Sequence, residues 1–284
     1  MKIEALFYEK IKDKIHCFLC PHNCIIEDKC FGKCNVRINE NGKLFTINYG
    51  EITSAALDPI EKKPLHYFKP SSCILSIGSF GCNFTCDFCQ NYNISQFIAE
   101  SKFVSKANLV DTVVELKDSI GVAFTYNEPA IWYEYVYDCA RLLKETNPNL
   151  DVVLVTNGYI SNEPLERLLP YVDAMNVDLK SFNKEYYKNL CGGSLDPVLK
   201  TIERAVKACH VEVTTLLVSG ENDNLEEVEK ISKFLSSIDD NIPLHLSRYF
   251  PRYKFKSSPT DVKFMKKAEE VAERYLHKVI LGNI

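Results

Sequence analysis

The sequence predicts an α/β chain: a partial (β/α)6 TIM-like barrel preceded by a small Cys-rich N-terminal module. Three observations predict it. From about residue 71, short apolar runs alternate with amphipathic segments, the pattern of parallel strands joined by crossover helices. Polar or glycine-containing signatures then follow the apolar runs repeatedly, as Gly81-Cys82, Asn127-Glu128-Pro129, Asn157-Gly158 and Asp178-Leu179-Lys180. A barrel gathers its chemistry on many strand ends, whereas a doubly wound sheet concentrates it at one switch point. The first 70 residues, by contrast, are turn-rich and hold five of the twelve cysteines between Cys17 and Cys34.

Taken in order, residues 1–70 form the expected module and residues 71–284 the barrel. Asn41-Gly42 followed by Lys43-Leu44-Phe45-Thr46-Ile47 reads as a tight turn leading into a strand. Asp58-Pro59-Ile60-Glu61-Lys62-Lys63-Pro64 reads as a loop or linker. Strands are expected at 73–79, 122–126, 152–156, 174–179, 211–218, 243–249 and 278–281. Helices are expected at 109–117, 131–146, 163–171, 197–208, 225–235 and 261–276. The aromatic run Trp132-Tyr133-Glu134-Tyr135-Val136-Tyr137 reads as a packed helix face.

Composition narrows the function classes. A net charge of −4 gives no general electrostatic reason to bind nucleic acid or an anionic membrane. No run approaches the ~20 apolar residues of a membrane span, and Met1-Lys2-Ile3-Glu4 lacks a signal-peptide layout. A cytoplasmic location is expected, where clustered cysteines hold metals more often than they form disulfides.

The chemistry is carried by Cys82-Asn83-Phe84-Thr85-Cys86-Asp87-Phe88-Cys89. A [4Fe–4S] cluster is completed by four thiolates, so three leave one iron open to an outside ligand. A zinc knuckle or buried free thiols are the plain alternatives. Cys17, Cys20, Cys24 and Cys34 supply a second set of four thiolates, with Cys30, His16 and His22 as spares. Such a set suits zinc or an auxiliary Fe–S cluster. Cys73 and Cys139 lie in apolar runs and read as core, and Cys191-Gly192-Gly193 reads as a structural loop that could approach the site.

The Cys82/Cys86/Cys89 spacing, with Phe88 before the last cysteine, is identified as that of the radical S-adenosylmethionine (SAM) superfamily. Several further segments narrow the resemblance: Cys17-Phe18-Leu19-Cys20-Pro21-His22-Asn23-Cys24, Asp58-Pro59-Ile60-Glu61-Lys62-Lys63-Pro64-Leu65, Thr125-Tyr126-Asn127-Glu128-Pro129 and Cys191-Gly192-Gly193. With them the chain resembles the AmmeMemoRadiSam-system enzymes, relatives of the pyruvate formate-lyase activating enzymes.

The resemblance implies reductive cleavage of SAM at the cluster to a 5′-deoxyadenosyl radical, which abstracts hydrogen from a substrate. It implies an electron donor such as flavodoxin or ferredoxin, and protein partners of the Memo and AMMECR types. By the same resemblance Glu128 meets the SAM amine, where related enzymes carry a Gly-Gly-Glu turn and this chain has Tyr126-Asn127-Glu128. Asn157, Asp178 and Lys180 would meet the ribose and carboxylate, with His245 close to SAM. Arg248, by its guanidinium, reads as a substrate anion clamp. Thr214 stands where pyruvate formate-lyase activators carry Arg.

Alone, Asn127-Glu128-Pro129 also reads as a helix N-terminus, Asn157-Gly158 as a turn, Asp178/Lys180 as a surface ion pair and His245 as a core histidine. Two other functions compete: a glycyl-radical-enzyme activase, and a zinc-finger-like RNA-binding protein.

Overall fold

In the computed structural model, which describes all 284 residues, one sheet organises the chain. Its eight strands lie side by side in chain order. They are β1 (Ser54–Pro59), β2 (Cys73–Gly78), β3 (Gly121–Phe124), β4 (Asp151–Thr156), β5 (Ala174–Asp178), β6 (His210–Leu217), β7 (Leu244–Arg248) and β8 (Val279–Gly282). Strands β2 to β8 are all parallel, and β1 alone is antiparallel, against β2. The edge strands β1 and β8 do not pair, so the barrel is open.

Six helices follow β2 to β7 in turn: α1 (Lys106–Glu115), α2 (Tyr133–Thr146), α3 (Asn162–Leu168), α4 (Leu195–Ala205), α5 (Leu225–Ile238) and α6 (Val262–Ala272). The six β/α units expected from the apolar alternation are therefore present, closed by a seventh parallel strand. Helix starts are set by side-chain caps: Ser105 accepts from the Asn108 amide at 3.1 Å and Asn224 from the Glu227 amide at 2.9 Å. Such bonds satisfy amides the helix leaves free, and the Ser105 cap starts α1 ahead of the expected residue 109.

One expectation is corrected. Residues 58 and 59 end strand β1 instead of forming a linker, and only Ile60–Lys62 turns, as a 3-10 helix. Ser-Ala-Ala-Leu-Asp-Pro has no β-branched or aromatic residue to announce a strand. Pro59 is tolerated because β1 is an edge. Residues before 70 thus contribute a strand to the barrel sheet.

They also build two small antiparallel sheets, Ile3–Glu4/Lys43–Thr46/Arg37–Glu40 and Tyr8–Ile11/Lys14–Cys17/Cys24–Ile26. Asn41 and Gly42 turn the Arg37–Glu40/Lys43–Thr46 hairpin with φ of 54° and 77°, the left-handed pair that a tight hairpin requires. Arg37 and Glu134, both buried, join these sheets to α2, and Arg37 Nη1 also donates to the Leu6 carbonyl at 2.8 Å.

The barrel interior is layered. Inward positions recur every second residue. The lowest holds Ile74, Ala123, Val153 and Ala174, closed from beneath by Ile60 and Leu65. Above it lie Asn176 and Glu212, opposite each other on β5 and β6. Apolar side chains facing the other way, such as Val122, Val152 and Leu154, pack in the main core that includes residues of the helices. Trp132, Tyr133 and Tyr135 are buried there, as the packed helix face expected of the aromatic run.

Candidate active site

A cavity of about 330 Å³ opens over the C-terminal ends of the strands. Cys82, Cys86 and Cys89 line it, brought there by the loop that leaves β2. Gly81 starts this loop with φ of 89°, and a β-carbon there would come within 2.5 Å of Val36 Cγ1, so only glycine fits both the turn and the contact. Burial pushes the Cys82 thiol well up and Cys89 up, so both carry protons that metal binding would release. A hydrogen bond from the buried Cys191 thiol holds Cys86 below its ordinary value.

No three His, Cys, Asp or Glu side chains in the protein converge as they would around a single metal ion. A [4Fe–4S] cube binds each thiolate to a different iron, and three sulfurs along one cavity wall suit that donor set.

Cys191 is where the structure adds most to the sequence reading. The Cys191 carbonyl accepts from the Thr85 amide at 2.9 Å and the Leu190 carbonyl from the Asp87 amide at 3.2 Å. The 190–193 segment is thus the backing of the cysteine loop. Gly192, at φ 72°, and Gly193 allow it to lie flat against Thr85 and Phe84.

Glu128 leaves β3 and reaches the same cavity. Its carboxylate accepts from the Thr156 hydroxyl at 2.6 Å and the Asn157 amide at 2.7 Å. It also caps the 3-10 helix Pro129–Trp132 through the Ala130 amide at 2.8 Å, so the helix-start reading of Asn127-Glu128-Pro129 holds as well. Glu128 is 2 % exposed and forms no ion pair, and burial pushes its carboxyl up to about 7. A buried carboxyl without a cation is a site for one.

Asn157 donates through Nδ2 to Asn83 Oδ1 at 2.9 Å and to Cys82 Sγ at 3.6 Å, which ties the end of β4 to the cysteine loop. Asp178 and Lys180, at the end of β5, both line the cavity and pair at 2.6 Å. Burial works against the Lys180 ammonium, but Asp178 and Cys86 outweigh it and hold the pKa above the ordinary lysine value.

Two expected residues lie elsewhere. His245 is buried below the cavity, with Nε2 2.6 Å from Glu212 and its ring 5.0 Å from that of His66. The next inward residue on β7, Ser247, forms the cavity wall. A two-residue period puts His245 one layer below Ser247, and it does not line the cavity. Arg248 alternates to the other side, where Nε donates to the Thr260 carbonyl at 2.8 Å.

Among the lining residues not singled out as site residues are Lys62, Lys63, Tyr126 and Asn283. The first two sit in the segment read as a linker, and its paired lysines were the available signal.

The N-terminal cysteines Cys17, Cys20, Cys24 and Cys34 share a small apolar pocket with His22 and Arg37, while Cys30 is exposed and apart. Burial pushes the Cys20 thiol up to about 12 and Cys34 up to about 11. Arg37 Nη1 donates to Cys17 Sγ at 3.7 Å.

A family model described as the Radical SAM superfamily matches residues 76–235. An uncharacterized protein of Methanocaldococcus jannaschii is 40% identical over 289 residues, covering 99% of this chain and 85% of that one. A second protein of that organism, named as a glycyl-radical enzyme activating enzyme, is 28% identical over 214 residues, covering 72% and 79%. The crystal structure of a radical SAM methyltransferase from Sphaerobacter thermophilus superposes with a TM-score of 0.60 at 17% identity, covering 75% of this chain and 67% of that one. That likeness shows the fold. No helix is long and apolar enough to cross a membrane.

Proposed function

Because the chain belongs to the radical SAM superfamily of iron–sulfur enzymes, we propose that Cys82, Cys86 and Cys89 hold its [4Fe–4S] cluster and that the adjoining cavity binds SAM. Bound there, the two groups would supply, with one electron from an outside donor such as flavodoxin or ferredoxin, reductive cleavage of SAM to methionine and a 5′-deoxyadenosyl radical able to take a hydrogen atom from the substrate. The observation that carries the reading is the meeting of three thiols, a cation-free buried carboxyl and an Asp–Lys pair in one cavity, from three separate strand ends.

The chain's own residues bind and orient. Glu128 receives the ammonium of the methionyl group, which removes the cost of ionising its buried carboxyl. Lys180 meets the methionyl carboxylate, and Asp178 accepts from the ribose hydroxyls. Asn157 holds the cysteine loop to β4 and donates to the ligand. Phe84 and Phe88, both buried, keep water from the sulfurs.

We further propose that the residues ahead of β1 form a metal-binding module in which Cys17, Cys20, Cys24 and Cys34 hold a second Fe–S cluster or, drawn together around it, zinc. Arg37 and Glu134 fix it to the barrel. An AmmeMemoRadiSam-type role with Memo-type and AMMECR-type partners is the favoured setting. The similarity to a glycyl-radical activating enzyme supports a second reading, in which the substrate is a backbone glycine of a partner protein.

Anoxically reconstituted protein, reduced chemically, should convert SAM to 5′-deoxyadenosine and methionine, while Cys86→Ala should not. Equal turnover by that variant would overturn the proposal. Deuterium transfer into 5′-deoxyadenosine from a labelled partner, either AMMECR-type or glycyl-radical, separates the two settings. Metal analysis of Cys20→Ser against the parent reads the N-terminal site.

A further inference from the structure

The segment Asp58–Lys63 has no part in the roles assigned above, yet it lines the same cavity. The Asp58 carboxylate accepts from Lys62 Nζ at 3.1 Å, Lys63 Nζ at 3.0 Å and the Tyr126 hydroxyl at 2.8 Å. The Lys63 side chain is only 3% exposed, and its ammonium lies 4.7 Å from the centroid of the Tyr126 ring. Two ammonium groups therefore share one carboxylate, and this end of the cavity carries a net positive charge. The single carboxylate that pairs the buried Lys63 is thus divided with the exposed Lys62.

Backbone geometry points the same way. Tyr126 has φ of 71°, a left-handed conformation that costs about 1–3 kcal/mol for a bulky residue. Asn91 Nδ2 holds its carbonyl at 2.6 Å and Asp58 its hydroxyl, so the ring is fixed along the cavity wall. Burial pulls the Lys63 ammonium below its ordinary pKa, and Asp58 only partly restores it. An added anion would stabilise the charged form.

Position separates this cluster from the SAM groups. Lys62 and Lys63 follow the edge strand β1, whereas Glu128, Asn157 and Asp178 end β3, β4 and β5. At the other edge Asn283 donates to Ser247 Oγ at 3.0 Å, and both line the cavity. The cavity thus spans both margins of the open barrel.

We propose that Lys63, with Lys62, anchors an anionic group of the substrate, a carboxylate or a phosphate, at the margin of the cavity beside β1. The proposal rests on the reading that the remainder of the cavity takes SAM. It makes the substrate an acidic molecule, or an acidic segment of a larger one.

Calorimetric titration of the reconstituted holoenzyme with SAM bound, using inorganic phosphate in one arm and succinate in the other, tests it. At least one anion should bind saturably at one per chain. Lys63→Gln should weaken that binding by about tenfold or more, and Lys63→Arg should keep it within about threefold. The side chain of Lys62 is 66% exposed, so Lys62→Gln keeps the fold and should weaken the anion by a few-fold, about what one screened charge contributes.

Which arm binds identifies the class of anion. The proposal falls if neither anion saturates the wild type, or if the Gln variants bind as the wild type does. It also falls if Lys63→Gln loses SAM in parallel with the anion. Calorimetry reads the anion without turnover, so a wild type that binds anion but never cleaves SAM would refute the radical chemistry and leave the anion subsite standing.

Discussion

Replacing Glu212 by Gln should remove the main polar support beneath the cavity. The Glu212 side chain is fully buried, and each of its oxygens accepts two hydrogen bonds. One takes the His66 amide at 3.0 Å and His245 Nε2 at 2.6 Å. The other takes the Tyr67 amide at 2.7 Å and His210 Nε2 at 3.0 Å. Glutamine offers one oxygen and one NH2, so one backbone amide of the segment below the barrel must face a donor. Losing charge-assisted bonds and stranding that amide costs about 3–5 kcal/mol at pH 7.

The effect has a pH signature. Burial opposes ionisation of Glu212, but bonds from His210, His245 and the two amides outweigh it and hold the carboxyl down at about 2. A pKa lowered on folding gives stability that is present above the unfolded value, near 4.5, and is lost as pH falls toward 2. That window is worth about 3 kcal/mol in the wild type and should be missing in the variant. The gap between the two proteins should therefore close as pH falls through it.

Equilibrium urea unfolding under reducing conditions, followed by fluorescence of the single tryptophan, Trp132, measures this directly. A difference below about 0.5 kcal/mol at pH 7 would refute the reasoning, because it is the scatter of ordinary surface substitutions. So would a gap that stays constant with pH.

Three further outcomes are expected. Gly193→Ala would drive a methyl into the Phe84 ring; overpacking of this kind costs about 1–3 kcal/mol, and iron bound per chain should fall with SAM cleavage because Phe84 lies between two of the cysteines. Arg37→Met leaves Glu134 buried without its cation and should cost about 3–5 kcal/mol in thermal or urea unfolding, with much of the loss recovered by adding Glu134→Leu. Lys180→Met should weaken SAM binding by about ten- to a hundredfold, read by equilibrium titration, with little change in the amount of cluster formed.

Much of the barrel was legible because its signals are local. Each of the seven parallel strands falls where an apolar run was read, since a buried parallel strand needs such a run. The edge strand β1 was not legible: Ser-Ala-Ala-Leu-Asp-Pro carries no β signal, and only its pairing with β2 makes it a strand. Asp178 and Lys180 could be placed on one face from their spacing, and both do line the cavity. The same two-residue logic could not say how deep His245 lies, because depth depends on strand stagger and on which neighbour fills the layer above.

By itself the sequence determined the thiol spacing Cys82/Cys86/Cys89, the alternation of strand and helix, and the polar residues at the strand ends. These depend on residues a few positions apart. The tertiary structure alone decided which of those polar residues share a cavity, that Cys191 backs Cys86, that His245 supports the floor with Glu212, and that Lys63 and Asp58 meet Tyr126. Each of these contacts joins segments tens of residues apart, and burial, not spacing, gives it energetic weight.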